Sequence, residues 1–243
     1  PTPFWSAHFS FSRGAFVTEV PVDPKGYFHG EEITMAVRGF THGYDFYSPH
    51  ELVAWHEYSR QGRRCHWQDH DDWQLRNQLS IERFNALLGV DGVETRIDFG
   101  RHGLGDVRSV ADYERFAGLC FKTRAVSADT LHHRPPSPLT DASTARPEML
   151  ISQARHIGVD LALFRDETVE FVGVFANAED GQELYRRDIS RQEMDQALTE
   201  SQDQTSYGCL IRLHASQPPA QLTVWPYYRN KGWGEPSIQP WPA

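Results

Sequence analysis

Four prolines fall within HHRPPSPLTDASTARP, residues 132–147, and no apolar period runs through it. Proline fixes φ and offers no backbone N–H, so such a stretch reads as a linker or a surface crossing and not as a core element. The chain is therefore expected to fold as two regions, 1–131 and 150–243, joined by a Pro-rich linker over 132–149.

The two regions carry different hydrophobic periods. Downstream, VEFVGVFANAEDGQELYRRDI and YGCLIRLHASQPPAQLTVWPYY each read as strand, turn and strand, around residues 177–181 and around Pro218-Pro219. With one acidic helical insert near 190–200, residues 150–243 are expected to form a smaller β-rich unit. Upstream, Ile33, Ala36, Val37 and Phe40 lie on one helical face that opens at Glu31. Residues 72–89 are expected to be a second helix ending at Gly89. SVADYERFAG adds a third, with Ser109 and Asp112 spaced as a capping box and Gly118 as its stop. FWSAHFSFSRGAFV (4–17), YDFY (44–47) and LVAWHEY (52–58) read as strands from their aromatic and alternating content. No internal repeat is present.

Charge and cysteine content narrow the function classes. The formal charge of −9 repels phosphate backbones and anionic lipid, which argues against nucleic-acid and membrane partners. Cys65, Cys120 and Cys209 are odd in number and lack C-x-x-C spacing, so neither a disulfide framework nor a zinc knuckle is expected. No apolar run approaches the roughly 20 residues of a membrane span, and the expected setting is cytoplasmic. Motifs for nucleotide loops, α/β-hydrolase nucleophiles and H-E-x-x-H zinc sites are absent.

The candidate chemistry gathers in YFHGEEITMAVRGFTHGYDFYSPHELVAWHEYSR, residues 27–60. Glu31 and Glu32 open a helix behind a loop rich in proline and glycine. Carboxylates there complement the helix dipole in any protein, but in a cleft they also bind sugar hydroxyls or stabilise an oxocarbenium-like centre. His56, between Trp55 and Tyr58, suits either a hydrogen-bonded interior or a divalent ion. A hydrolase metal cluster drawn from His29, His42, His56, His66 and His70 is a further alternative.

The same run, together with SAHFSF, EVPVDP, HWQDH and GRHGLGDVRSVADYERFAG, resembles the polypeptide N-acetylglucosaminyltransferase family. Founding eukaryotic members of that family attach GlcNAc to hydroxyproline. The likeness fades beyond about residue 127. It implies the α/β fold of the acceptor-side half of a GT-A-like domain, followed here by the smaller β-rich unit. It also implies a hexosyltransferase with a UDP-sugar donor, UDP-GlcNAc or a relative, a Mn²⁺ or Mg²⁺ ion, and retention at the anomeric carbon. The acceptor would be a hydroxyl on a peptide or small molecule.

By position, Glu31 and Glu32 would be the catalytic carboxylates and His56 a metal ligand. Phe28, His29 and Gly30 would shape the donor pocket, and Trp55 with Tyr58 would buttress His56 or approach the acceptor. Family members carry a uridine-holding half with a D-x-D or D-x-H motif upstream of this region. None precedes SAHFSF, so a second chain carrying that half is an implied partner. A catalytically inactive glycan- or peptide-binding derivative is the competing expectation.

Overall fold

The computed structural model describes residues 1–56, 68–92, 97–136, 148–200 and 205–242. The chain divides into two compact units, Pro1–Met149 and Leu150–Ala243. It is mixed α/β.

The first unit is built from helices and long connecting loops. Its helices are α1 (Gly14–Glu19), α2 (Glu31–Thr41), α3 (Trp73–Leu88), α4 (Val110–Ala117) and α5 (Ala128–Leu131), with the short antiparallel pair β1 (Leu119–Cys120) and β2 (Ala125–Ser127) after α4. Helix α2 lies at its centre, with Ala36, Val37 and Phe40 packed among Leu88, Val90, Tyr113 and Ala117. On another side of α2, Met35 meets Phe16 and Val20. The α4 start is the expected capping box: Ser109 Oγ accepts from the Asp112 N–H, and the Asp112 carboxylate accepts from the Ser109 N–H. Gly118 closes α4 at φ 65°, and Gly89 closes α3 in the same left-handed conformation.

Buried polar groups fasten the loops of this unit. Arg38, on α2, is only 1% exposed. Its guanidinium donates to the carbonyl oxygens of Pro21 (2.7 Å), Gly103 (3.2 Å) and Arg101 (3.3 Å), so one side chain ties two loops to the helix. Burial lowers its pKa from the ordinary arginine value. Asp23 pairs with Arg83 of α3 at 2.7 Å, and both are largely buried. Burial alone would raise the Asp23 pKa, but the Lys25 N–H and the Arg83 guanidinium outweigh it and hold the carboxyl below its usual range.

The second unit is built on antiparallel ladders. Strand β3 (Met149–Asp160) pairs with β6 (Ser206–Ala215) from Ile151↔Ala215 to Asp160↔Ser206. Strand β4 (Val169–Asn177) lies between β5 (Glu183–Ser190) and β7 (Gln221–Tyr228), and the short β8 (Gly232–Trp233) and β9 (Ser237–Pro240) both pair with β7. Helices α6 (Leu161–Arg165) and α7 (Arg191–Glu200) cover the core, in which Leu161, Phe164, Val172, Ile189, Met194 and Ile211 are fully buried. The strand-turn-strand segments and the acidic helix are therefore found where the sequence pattern puts them.

Three expected strands are not. Residues 4–13 are irregular and run into α1, which begins at Gly14. The aromatic alternation there does not serve a sheet, since Phe9 is 62% and Phe11 95% exposed. YDFY contributes a single bridge, Thr2↔Phe46, and residues 52–56 form no strand, with Leu52, Val53 and Trp55 all exposed. The expected extent of the third strand, and the linker at 137–147, run into residues outside the described ones. No described helix is long and apolar enough to cross a membrane.

Candidate functional site

A cleft of about 580 Å³ opens within the first unit. One wall is the N-terminal segment at Phe4, Trp5, Ala7 and His8, and the other is the loop and helix start from Phe28 to Ile33. Four features of the sequence give that second wall its shape.

First, Gly30 occupies the position before α2 at φ 90°, a conformation that suits glycine. Second, Phe84 of α3 fills the space that side chains at positions 26 and 30 would need. A Cβ on Gly26 would stand 2.6 Å from Phe84 Cζ, and one on Gly30 2.6 Å from Phe84 Cδ2. Third, α3 presents Asn77 and Ser80 on the face that carries Phe84. Ser80 Oγ accepts from the Tyr27 N–H at 2.8 Å, and the His29 ring Nδ1 lies 2.9 Å from Asn77 Oδ1. Fourth, Phe28 itself sits at φ 49°, with the His29 N–H donating to the Tyr27 carbonyl at 2.7 Å across it. A bulky residue in the left-handed region is strained by about 1–3 kcal/mol, and it persists here because the neighbouring contacts over-determine the loop.

The two adjacent carboxylates have different surroundings. Glu32 Oε1 accepts from the Ala7 N–H at 2.8 Å and lies 3.8 Å from His8 Nδ1, so this side chain joins the two walls. Among the described residues no hydrogen bond or ion pair engages the Glu31 carboxylate, and Glu31 is one of the residues that line the cleft.

His56 lies beside His8, with ring centroids 4.1 Å apart and the planes at 85°. The structure therefore brings His56 to the group that holds Glu32, although it sits on an irregular segment and not at a strand end. Trp55 is 83% exposed and outside the cleft lining. Tyr58 and His66 lie outside the described residues. His42 is turned back onto its own helix, its Nδ1 2.8 Å from the Arg38 carbonyl oxygen.

No group of three or more His, Cys, Asp or Glu among the described residues is placed to hold a metal ion. The described residues alone therefore bring no such group together around His56.

Sequence reasoning passed over His8, Asn77, Ser80 and Phe84. His8 sits inside SAHFSF, where the alternation suggested a strand and hid a cleft wall. The other three share one face of α3 at spacings of three and four, which reads in sequence as an ordinary helix stripe.

A family model described as "Glycosyltransferase (GlcNAc)" matches residues 1–123. No curated protein and no solved structure matches the chain.

Proposed function

The chain belongs to the glycosyltransferase (GlcNAc) family, and on that premise we propose that it transfers GlcNAc or a related sugar from a UDP donor to a hydroxyl on a peptide or small molecule, with retention. The observation that carries this reading is the contrast within the cleft between a tethered Glu32 and an open Glu31.

In the proposed reaction the bond between the sugar C1 and the diphosphate oxygen breaks while a bond from the acceptor oxygen to C1 forms. The acceptor proton passes to the departing diphosphate. Positive charge grows at C1, and a carboxylate close by stabilises it without acting as a strong base. Glu31 is assigned that role, together with orientation of sugar hydroxyls. Glu32 holds the two walls at a set separation. Phe28, His29 and Gly30 shape the donor pocket. The GT-A relationship belongs to this reading, as does a second chain carrying the uridine-holding half. His56 is proposed as this chain's contribution to any Mn²⁺ or Mg²⁺ that accompanies the donor.

One observation favours a second reading, a glycan- or peptide-binding protein without transfer. The ladders described above are all antiparallel, and no parallel β-α-β unit of the kind that cradles a nucleotide is among them.

Native mass spectrometry with and without UDP-GlcNAc and Mn²⁺, followed by an assay of UDP release, separates the two. Transfer predicts nucleotide uptake, alone or with a co-purifying chain, and Glu31→Gln then lowers kcat by about 100-fold or more. Sugar binding that ignores UDP and Mn²⁺ would establish the second reading instead.

A further inference from the structure

His8 occupies a position that the family reading leaves without a role. It follows directly on the residue whose N–H is held by Glu32, so the 2.8 Å bond at Ala7 fixes the backbone from which the imidazole projects. Ser6 Oγ lies 3.4 Å from the His8 Nδ1, and Glu32 Oε1 lies 3.8 Å from the same atom. The ring also makes an edge-to-face contact with His56, at 4.1 Å between centroids. Perpendicular packing at this distance restricts the tilt of both rings.

We propose that His8 is a positioning residue for the transfer site: a ring anchored through the Ala7–Glu32 bond that sets where His56 presents its imidazole relative to the Glu31–Glu32 wall. The proposal rests on the transferase reading for its effect on rate, but not for its effect on His56. In physical terms the sequence distance between Ala7 and His56 is closed by two contacts in series, Glu32 to the Ala7–His8 backbone and the His8 ring to the His56 ring. His56 belongs to a segment, 52–56, that is not in a strand, and the His8 ring is one of the groups packed against its imidazole. The role is one of placement. A ring of similar shape should fill it without any nitrogen.

The test uses the full 243-residue chain with His8→Ala and His8→Phe, the probe being UDP release from UDP-GlcNAc with Mn²⁺. His8 is about half exposed, so thermal unfolding should move by no more than about 2 °C in either variant. His8→Ala is expected to lower kcat roughly ten- to a hundredfold with KM within about twofold, and His8→Phe to restore most of the rate.

In parallel, the His56 ring resonances, identified by their loss in His56→Ala, should shift in His8→Ala and return toward the wild-type positions in His8→Phe. Unchanged turnover in His8→Ala overturns the proposal. So does a rate that falls in both variants while the His56 resonances stay put, since His8 would then act on the substrate itself. If the wild-type chain releases no UDP, the transferase reading fails separately, and the resonances alone decide: displaced in His8→Ala they support the placement role, unmoved they refute it.

Discussion

The two units solve the same problem with different means. Residues 150–243 are held by long antiparallel ladders around Leu161, Phe164, Val172, Ile189 and Ile211, a core in which regular backbone pairing and apolar burial coincide. Residues 1–149 have a smaller apolar centre around α2, and their long loops are fastened by buried polar side chains, Arg38 and the Asp23–Arg83 pair above all. Exposure follows the same division. Among the described residues every exposed large hydrophobic side chain other than Trp233 and Ile238 lies in the first unit. The lesson is that a unit whose cleft is made of loops spends polar groups to fix them, whereas a ladder fixes itself.

The sharpest way to break this comparison is Arg38→Met. It leaves the carbonyls of Pro21, Arg101 and Gly103 without their buried donor, and the expected loss is about 4 kcal/mol, confined to the first unit. Amide exchange should show α2 and α4 losing protection while β4 and β7 keep theirs. Loss of protection in both units together would mean that they unfold as one.

A smaller effect is expected from Arg83→Ala, about 3 kcal/mol near neutral pH, because Asp23 is left buried without its partner. The pH dependence has a definite sign. The Asp23 pKa is depressed in the folded state, so its contribution is present above the unfolded aspartate value of about 3.9 and is lost as pH falls through the lower folded value. Denaturant midpoints at stepped pH should therefore show wild type and Arg83→Ala converging in acid. A constant gap down to the lowest pH would remove the ion pair from the explanation.

Least of the three is Ser109→Ala, at about 1 kcal/mol from the lost cap of α4. An effect much above that would mean the cap also anchors the β1–β2 pair that follows it.

How far the sequence could be read depended on whether the signal was local. The α4 capping box, the Gly89 and Gly118 stops and the α2 face are written within a few residues, and each is found in the structure. The turns of the second unit were legible for the same reason. The N-terminal alternation failed because a strand needs a neighbouring edge, and nothing in FWSAHFSFS says whether one is present. The cleft was half legible. Glu31 and Glu32 stood out as a pair, but their different surroundings depend on Ala7 and His8, some twenty-five residues earlier, and on a tertiary approach that no spacing encodes.

Phe84 carries a consequence for protein engineering. Its ring occupies the volume that side chains at positions 26 and 30 would need, so the loop and the helix residue form one heritable block. A chimera that imports a different 23–30 loop must import position 84 with it. Swapped alone, a loop with a side chain at either glycine position would collide with that ring.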